Sequence, residues 1–281
     1  PGAATLLAAV SALVLGLNRE AHYGLDRATA GLFLLFAALL ALFIFLERRA
    51  AEPLLDLGLF KERAFAAGVL TLALVSLSQT STFFLLPFYL QGLMGLTPTE
   101  VGVTLIFYSV VIVFLAPVGG SLSDRFGPRL LCIAGCLGTF VGVALMARLG
   151  LDSSRLGVIV PLMIMGLGWS LFASPNLSAL FGSVTPDRFG AVGGMTVTTA
   201  NIANAVGVSL ASMLFARWLE WGGAPAAADY HEWSRAPAAY LSAFRHSWLI
   251  ITGFALVALS IAAARKKPAR AKAGVPEKKG D

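Results

Sequence analysis

Eight stretches of this chain are apolar on every helical face and contain no Asp, Glu, Lys, Arg or His: residues 2–17, 28–46, 64–90, 101–122, 130–147, 156–180, 190–216 and 247–264. A surface helix of a soluble protein keeps one polar face, so helices that are apolar all round belong in a buried core or in hydrocarbon. Their lengths suit the about 20 residues that a helix needs to cross a bilayer. A membrane β-barrel would instead show segments of about ten residues alternating in polarity. The pattern predicts an all-α fold, a polytopic membrane bundle of about eight transmembrane helices joined by short loops.

Composition points the same way. Of 281 residues, 57% are hydrophobic and 13% charged, with a mean hydropathy of +0.80, whereas a soluble domain carries about 25% charged residues. The net charge of +6 does not describe a nucleic-acid-binding face, because seven of the 21 Lys and Arg lie in the 17 residues from Arg265 onward. If the turn at 124–129 is cytoplasmic, its side of the membrane holds 14 of the 21 bases, as the positive-inside rule requires; without the tail the loops tie at seven each. The C-terminus is then cytoplasmic, a basic disordered tail interrupted by Pro268 and Pro276 that touches anionic lipid. The segment 217–246 lies outside, an interfacial loop anchored by Trp218, Trp221, Tyr230, Trp233 and Tyr240. No basic segment precedes the first apolar run, so Pro1 does not open a signal peptide.

Chemistry of the enzyme kind is not visible. His22, His231 and His246 fall in loops without metal-ligand spacing, no nucleophile has a nearby base, and no phosphate-cradling glycine loop follows a strand. No catalytic or metal residue is therefore assigned. Cys132 and Cys136, four apart on one helical face, make neither a disulfide scaffold nor a zinc site. Thr97-Pro98-Thr99-Glu100 has the form of a capping box with Pro at the first helical position.

The turn Gly119-Gly120-Ser121-Leu122-Ser123-Asp124-Arg125-Phe126-Gly127-Pro128-Arg129 is the most informative stretch. Its glycines let helix ends approach, Asp124 can complement a helix N-terminus, and Arg125 and Arg129 can pair with it. Gly120, Leu122, Asp124, Arg125, Gly127 and Arg129 resemble the G-x-L-x-D-R-x-G-R-K signature of the major facilitator superfamily of transporters, with Pro128 as a departure. Pro53-Leu54-Leu55-Asp56-Leu57-Gly58-Leu59-Phe60-Lys61 with Arg63 and Phe65 resembles the linker that enters the C-terminal domain of its fourteen-span drug:proton antiporters. Leu86-Pro87-Phe88-Tyr89-Leu90-Gln91, Gly95-Leu96-Thr97-Pro98 and Pro186-Asp187-Arg188-Phe189-Gly190 with Gly193-Gly194 look like that branch too. Phe107 stands where the branch usually has proline, and Asn201-Ile202-Ala203-Asn204 where many members carry arginine and glutamine.

That resemblance implies a central extra helix pair at 1–52, a C-terminal six-helix transporter bundle at 53–264 and the tail at 265–281. Within the bundle, spans three to five should mirror spans six to eight as an inverted repeat. It implies multidrug efflux of small lipophilic or amphipathic compounds by proton antiport and alternating access, in a bacterial plasma membrane. The proton gradient serves as energy source and no cofactor is needed. Gly120, Asp124, Arg125, Gly127 and Arg129 would form a conformational-switch motif. Gln79, Asn201 and Asn204, polar at mid-membrane, would line the substrate cavity or else bond between helices. Gly166, Gly168, Gly193, Gly194 and Gly207 would serve close packing or bending. Since no apolar run holds an Asp, Glu, Lys, Arg or His, the proton carrier is expected in a missing N-terminal six-helix half. The chain is then a fragment, or a half-size protein with a separate partner. The alternative function is a non-transporting scaffold or receptor of the same fold.

Overall fold

The computed structural model describes residues 2–49, 57–223, 233 and 236–265. Part of the 53–63 linker, Tyr230, His231 and the tail from 266 lie outside the described residues. Among the described residues eight long helices follow one another: α1 (Gly2–Tyr23), α2 (Arg27–Glu47), α3 (Arg63–Gly92), α4 (Pro98–Phe126), α5 (Pro128–Met146), α6 (Arg155–Phe181), α7 (Phe189–Trp221) and α8 (Pro237–Ala264). Short 3-10 turns occupy Leu57–Lys61 and Pro186–Arg188. All eight helices are long and apolar enough to cross a membrane.

Local sequence explains where several of them start. Asp26 caps α2 through Thr29, whose backbone N–H reaches Asp26 Oδ1 at 2.7 Å, and Arg19 adds a 3.0 Å ion pair. The capping box forms at α4: the Thr97 N–H donates to Glu100 Oε2 at 2.9 Å, and the Glu100 N–H to Thr97 Oγ1 at 3.4 Å. Ser154 caps α6. Between α4 and α5 the chain reverses on Gly127 alone, whose φ of 83° suits glycine, and Pro128 takes the first position of α5, where its missing N–H costs nothing.

Several helices overrun their apolar sequences, α4 by one turn to Phe126 and three others by more. α1 continues to Tyr23, α7 to Trp221, and α8 begins at Pro237, ten residues before the expected 247. Arg217 and Arg245 with His246 are thus helical, and the expected interfacial loop shrinks from both ends. The reason is a buried face at helical spacing, Tyr240, Phe244, Ser247, Trp248 and Ile251, while the Arg245 head reaches out to the Leu149 carbonyl at 2.8 Å. Among the expected aromatic anchors, Trp221 is exposed but Trp233 and Tyr240 are buried and stack at 4.3 Å. Trp233 fills space beside Gly92, where a Cβ would collide with its ring.

Apolar burial provides little drive between helices in lipid, so close packing has to hold them. On α5, a Cβ at Gly135 would lie 2.6 Å from the Gly168 carbonyl oxygen, and one at Gly138 would lie 2.8 Å from Gly168 Cα. Gly166 meets the Tyr108 carbonyl of α4, and Gly207 of α7 meets the Leu77 carbonyl of α3. Gly166, Gly168 and Gly207 serve packing, as expected, and Gly135 and Gly138 join them. Gly193 and Gly194 do not, since nothing lies within 4 Å of a Cβ built on either.

The six helices α3–α8 keep the exchange expected of an inverted repeat. α4 packs on α6 as α7 packs on α3, α5 packs on α6 as α8 packs on α3, and α5 and α8 pack on each other. The first two helices, expected as an extra pair, pack on each other, and α1 packs on α7. One end of the bundle carries the Gly127 turn, and the other carries the α5–α6 turn with Gly150.

Candidate functional site

The sequence 76–82 of α3, Ser-Leu-Ser-Gln-Thr-Ser-Thr, puts a polar girdle in the middle of a membrane-length helix. Part of it is satisfied by its own helix, since Ser78 donates to the Leu74 carbonyl at 2.7 Å and Thr82 to the Ser78 carbonyl at 2.9 Å. Gln79, Thr80 and Ser81 reach neighbouring helices, while Ser76 Oγ is buried without a partner among the described residues. Thr80 Oγ1 donates to Asn204 Oδ1 of α7 at 2.7 Å, Ser81 Oγ to the Gly207 carbonyl at 2.8 Å, and the Tyr108 hydroxyl of α4 to Gln79 Oε1. Glycine at 207 lets the α7 backbone approach close enough for the Ser81 bond.

The three residues singled out from the sequence therefore sit in three settings. Gln79 is 5% exposed and turns to α4, where its Nε2 is buried without an acceptor among the described residues. Asn204 is half-buried and turns to α3. Asn201 is exposed on the outer face of α7, in line with Gly190, Gly194 and Val197. Sequence reading missed Tyr108 and Thr80. Tyr108 carries a phenol in the centre of the apolar run 101–122, the same signal that marked Gln79, and its ring meets Phe83 edge-on at 4.5 Å.

Beside this girdle the bundle presents a wide open face. α4 buries one narrow stripe, Val101, Thr104, Val111, Gly119 and Ser123, while Val103, Ile106, Phe107, Val110, Val113 and Phe114 are exposed. Gly102 on α4 and Gly190, Gly193 and Gly194 on α7 have nothing within 4 Å of a Cβ position. Between the end turns of α3 to α8 there is no Asp or Glu, so the interior polarity of the bundle is that of hydroxyls and amides.

The turn signature folds differently from expectation in one respect. Asp124 lies in the last turn of α4, not at a helix N-terminus, so its carboxylate faces the negative end of the helix dipole. It is exposed and makes no ion pair with Arg125 or Arg129. Arg129 instead donates to the Ala263 carbonyl of α8 at 2.9 Å, and Gly120 is half-buried. At the same end Arg265 is 8% exposed and donates to Asn176 Oδ1 at 3.1 Å, while Asn176 Nδ2 donates to the Gly68 carbonyl at 3.2 Å. That chain ties α8, α6 and α3 together.

A second charged cluster, also missed, fastens the extra pair. Arg217 of α7 bonds Glu20 Oε1 of α1 through Nε and NH2 at 2.5 Å, and its NH1 bonds Glu220 at 2.8 Å. Opposite charges just past the ends of two apolar runs were the available signal.

A family model described as Major Facilitator Superfamily matches residues 2–208. The chain is 34% identical over 192 residues to the riboflavin transporter RibZ of Clostridioides difficile, which covers 66% of this chain and 42% of that protein. It is 28% identical over 219 residues to the multidrug resistance protein Stp of Mycobacterium tuberculosis, covering 78% and 41%. It is 29% identical over 218 residues to the tetracenomycin C resistance and export protein of Streptomyces glaucescens, covering 76% and 40%. The matches span about two fifths of the length of these relatives.

Proposed function

The chain belongs to the Major Facilitator Superfamily, a family of multi-pass membrane transporters, and we propose that it supplies the C-terminal part of an exporter of small lipophilic or amphipathic compounds. The observation that carries this reading is the mid-membrane girdle of Gln79, Tyr108, Thr80 and Asn204 beside an open apolar face of α4 and α7. Polar groups at that depth are costly and face a bundle interior or a cavity. An apolar wall with a few convergent polar groups suits a lipophilic solute better than a sugar or an ion.

The partner of the open face is a six-helix N-terminal half. Glycines Gly102, Gly190, Gly193 and Gly194, which pack on nothing within the chain, are placed where a second bundle could approach closely. Matches that span two fifths of the relatives' length support the same reading. Asp124, exposed and unpaired at the rim of α4, then finds its partner on that half in one end state of a rocking cycle and loses it in the other. Such a residue biases an equilibrium rather than binding substrate. Export runs against protons in a bacterial inner membrane, with the Gly127 end and the C-terminal tail cytoplasmic. The proton carrier is placed in the other half: the interior of α3 to α8 has no carboxylate, and the buried Glu20 and Glu47 lie in the last turns of α1 and α2.

A relative named a riboflavin transporter favours a second reading of the cargo, a planar polar aromatic vitamin. Proteoliposomes of the full-length protein test the proposal against a non-transporting scaffold. Efflux of a lipophilic dye that rises with an imposed proton gradient supports it; no flux of dye or riboflavin under any gradient refutes it.

A further inference from the structure

The amide of Gln79 is held at one end and free at the other. The Tyr108 hydroxyl donates to Oε1, which fixes the plane of the amide, while Nε2 is buried and has no acceptor among the described residues. Buried donors are nearly always paired, yet none of the neighbouring hydroxyls bonds Nε2; Ser78, Ser81, Thr82 and Thr80 give their protons to the Leu74, Gly207 and Ser78 carbonyls and to Asn204 Oδ1. Ser76 Oγ, one turn earlier on α3, is likewise buried without a partner among the described residues and makes no bond to Nε2. Phe83 stands edge-on against Tyr108 at 4.5 Å, so the phenol that holds the amide is itself packed against an aromatic ring. α4 is packed chiefly on α6, with slight contact to α3, so Tyr108 reaches Gln79 across a thinly packed seam.

Resting on the exporter reading, we propose that Gln79 is a specificity-determining residue of the cavity, whose Nε2 donates to a carbonyl or ring-nitrogen acceptor of a neutral aromatic solute. Tyr108 is its positioning residue. A site built to hydrogen-bond one group discriminates against solutes that lack it, because the protein's own donor is then left unpaired. The interior of α3 to α8 offers no carboxylate to a cation, so the selectivity contributed by this half is for acceptors and not for positive charge.

Two probes separate these properties. Riboflavin is neutral and carries ring carbonyls; tetraphenylphosphonium is a lipophilic cation with no acceptor. Binding of both is measured on the full-length protein in proteoliposomes, for the parent, Gln79→Met, Tyr108→Phe and the double variant, with thermal midpoints as a check on folding. Gln79→Met is expected to weaken riboflavin binding about 3- to 10-fold, the loss of one neutral hydrogen bond, and to leave tetraphenylphosphonium unchanged. Tyr108→Phe is expected to weaken riboflavin less, and to add nothing in the Gln79→Met background, since it acts through that residue. Equal loss of both probes, or additive effects of the two substitutions, overturns the inference. A parent that binds tetraphenylphosphonium but not riboflavin overturns the inference alone, and one that binds neither overturns the exporter reading with it.

Discussion

Gly168→Ala should destabilise the bundle, while Gly194→Ala, the same change on another helix, should not. At Gly168 the added Cβ would lie 2.7 Å from the Thr139 amide nitrogen and 2.8 Å from the Gly135 carbonyl oxygen, both backbone atoms of α5. Backbone on both sides cannot yield as a flexible side chain does, so α5 and α6 must part along their whole contact. Overpacking of this kind costs about 1–3 kcal/mol, and the better helix propensity of alanine returns about 1 kcal/mol. The net expectation is a loss of up to about 2 kcal/mol. At Gly194 nothing lies within 4 Å, so the propensity gain stands alone. Cys132 and Cys136 are free and buried, which makes a thiol-reactive dye a native reporter of unfolding in detergent. Gly168→Ala should react at a lower temperature than the parent, and Gly194→Ala at the same or a higher one. Equal midpoints for all three proteins would refute the view that backbone contact between α5 and α6 holds the bundle.

Other expectations follow from the charged ends. Arg217→Gln should detach the extra pair more than Glu20→Gln does: losing the guanidinium strands the enclosed Glu20, whose Oε2 has no partner, whereas Arg217 without Glu20 keeps Glu220. Disulfide trapping of cysteine pairs between α1 and α7 reads the order, and the reverse order contradicts the clasp. The Arg19 guanidinium, with Thr29, holds the Asp26 carboxyl well below the usual carboxylate range, so its contribution to stability is complete above about pH 4 and is lost in stronger acid. Asp26→Asn should therefore be less stable at neutral pH and lose less on acidification, as thermal midpoints at both pH values will show. Asp124→Asn should slow transport with little change in substrate affinity, because an end-state equilibrium is shifted; weakened binding with normal turnover would contradict that.

Helix number, class and most boundaries were legible because an all-apolar run has one good environment. The ends of α1, α7 and α8 were not. Arg217 and Arg245 interrupt the hydropathy but not the helix, since each projects its charge to a partner at the rim, Glu20 or the Leu149 carbonyl. The polar girdle was visible in Gln79 and Asn204, yet its partners were not, because Tyr108 and Thr80 are linked to them by tertiary contacts that leave no trace in local sequence. The Asp124 turn shows the reverse. Its motif was plain, but the position of its carboxylate depends on α4 continuing to Phe126, one turn beyond the apolar run.

The central claim is that residues 1–281 contribute a cavity wall and an open interface to a proton-driven exporter whose proton carrier lies in the other half. Solute flux into proteoliposomes, driven by an imposed pH gradient, tests it when this chain alone is compared with the full-length protein. Gradient-dependent flux by the full-length protein and none by the isolated chain is the predicted result. Gradient-dependent flux by the isolated chain would place the coupling among residues assigned here to packing and contradict the account.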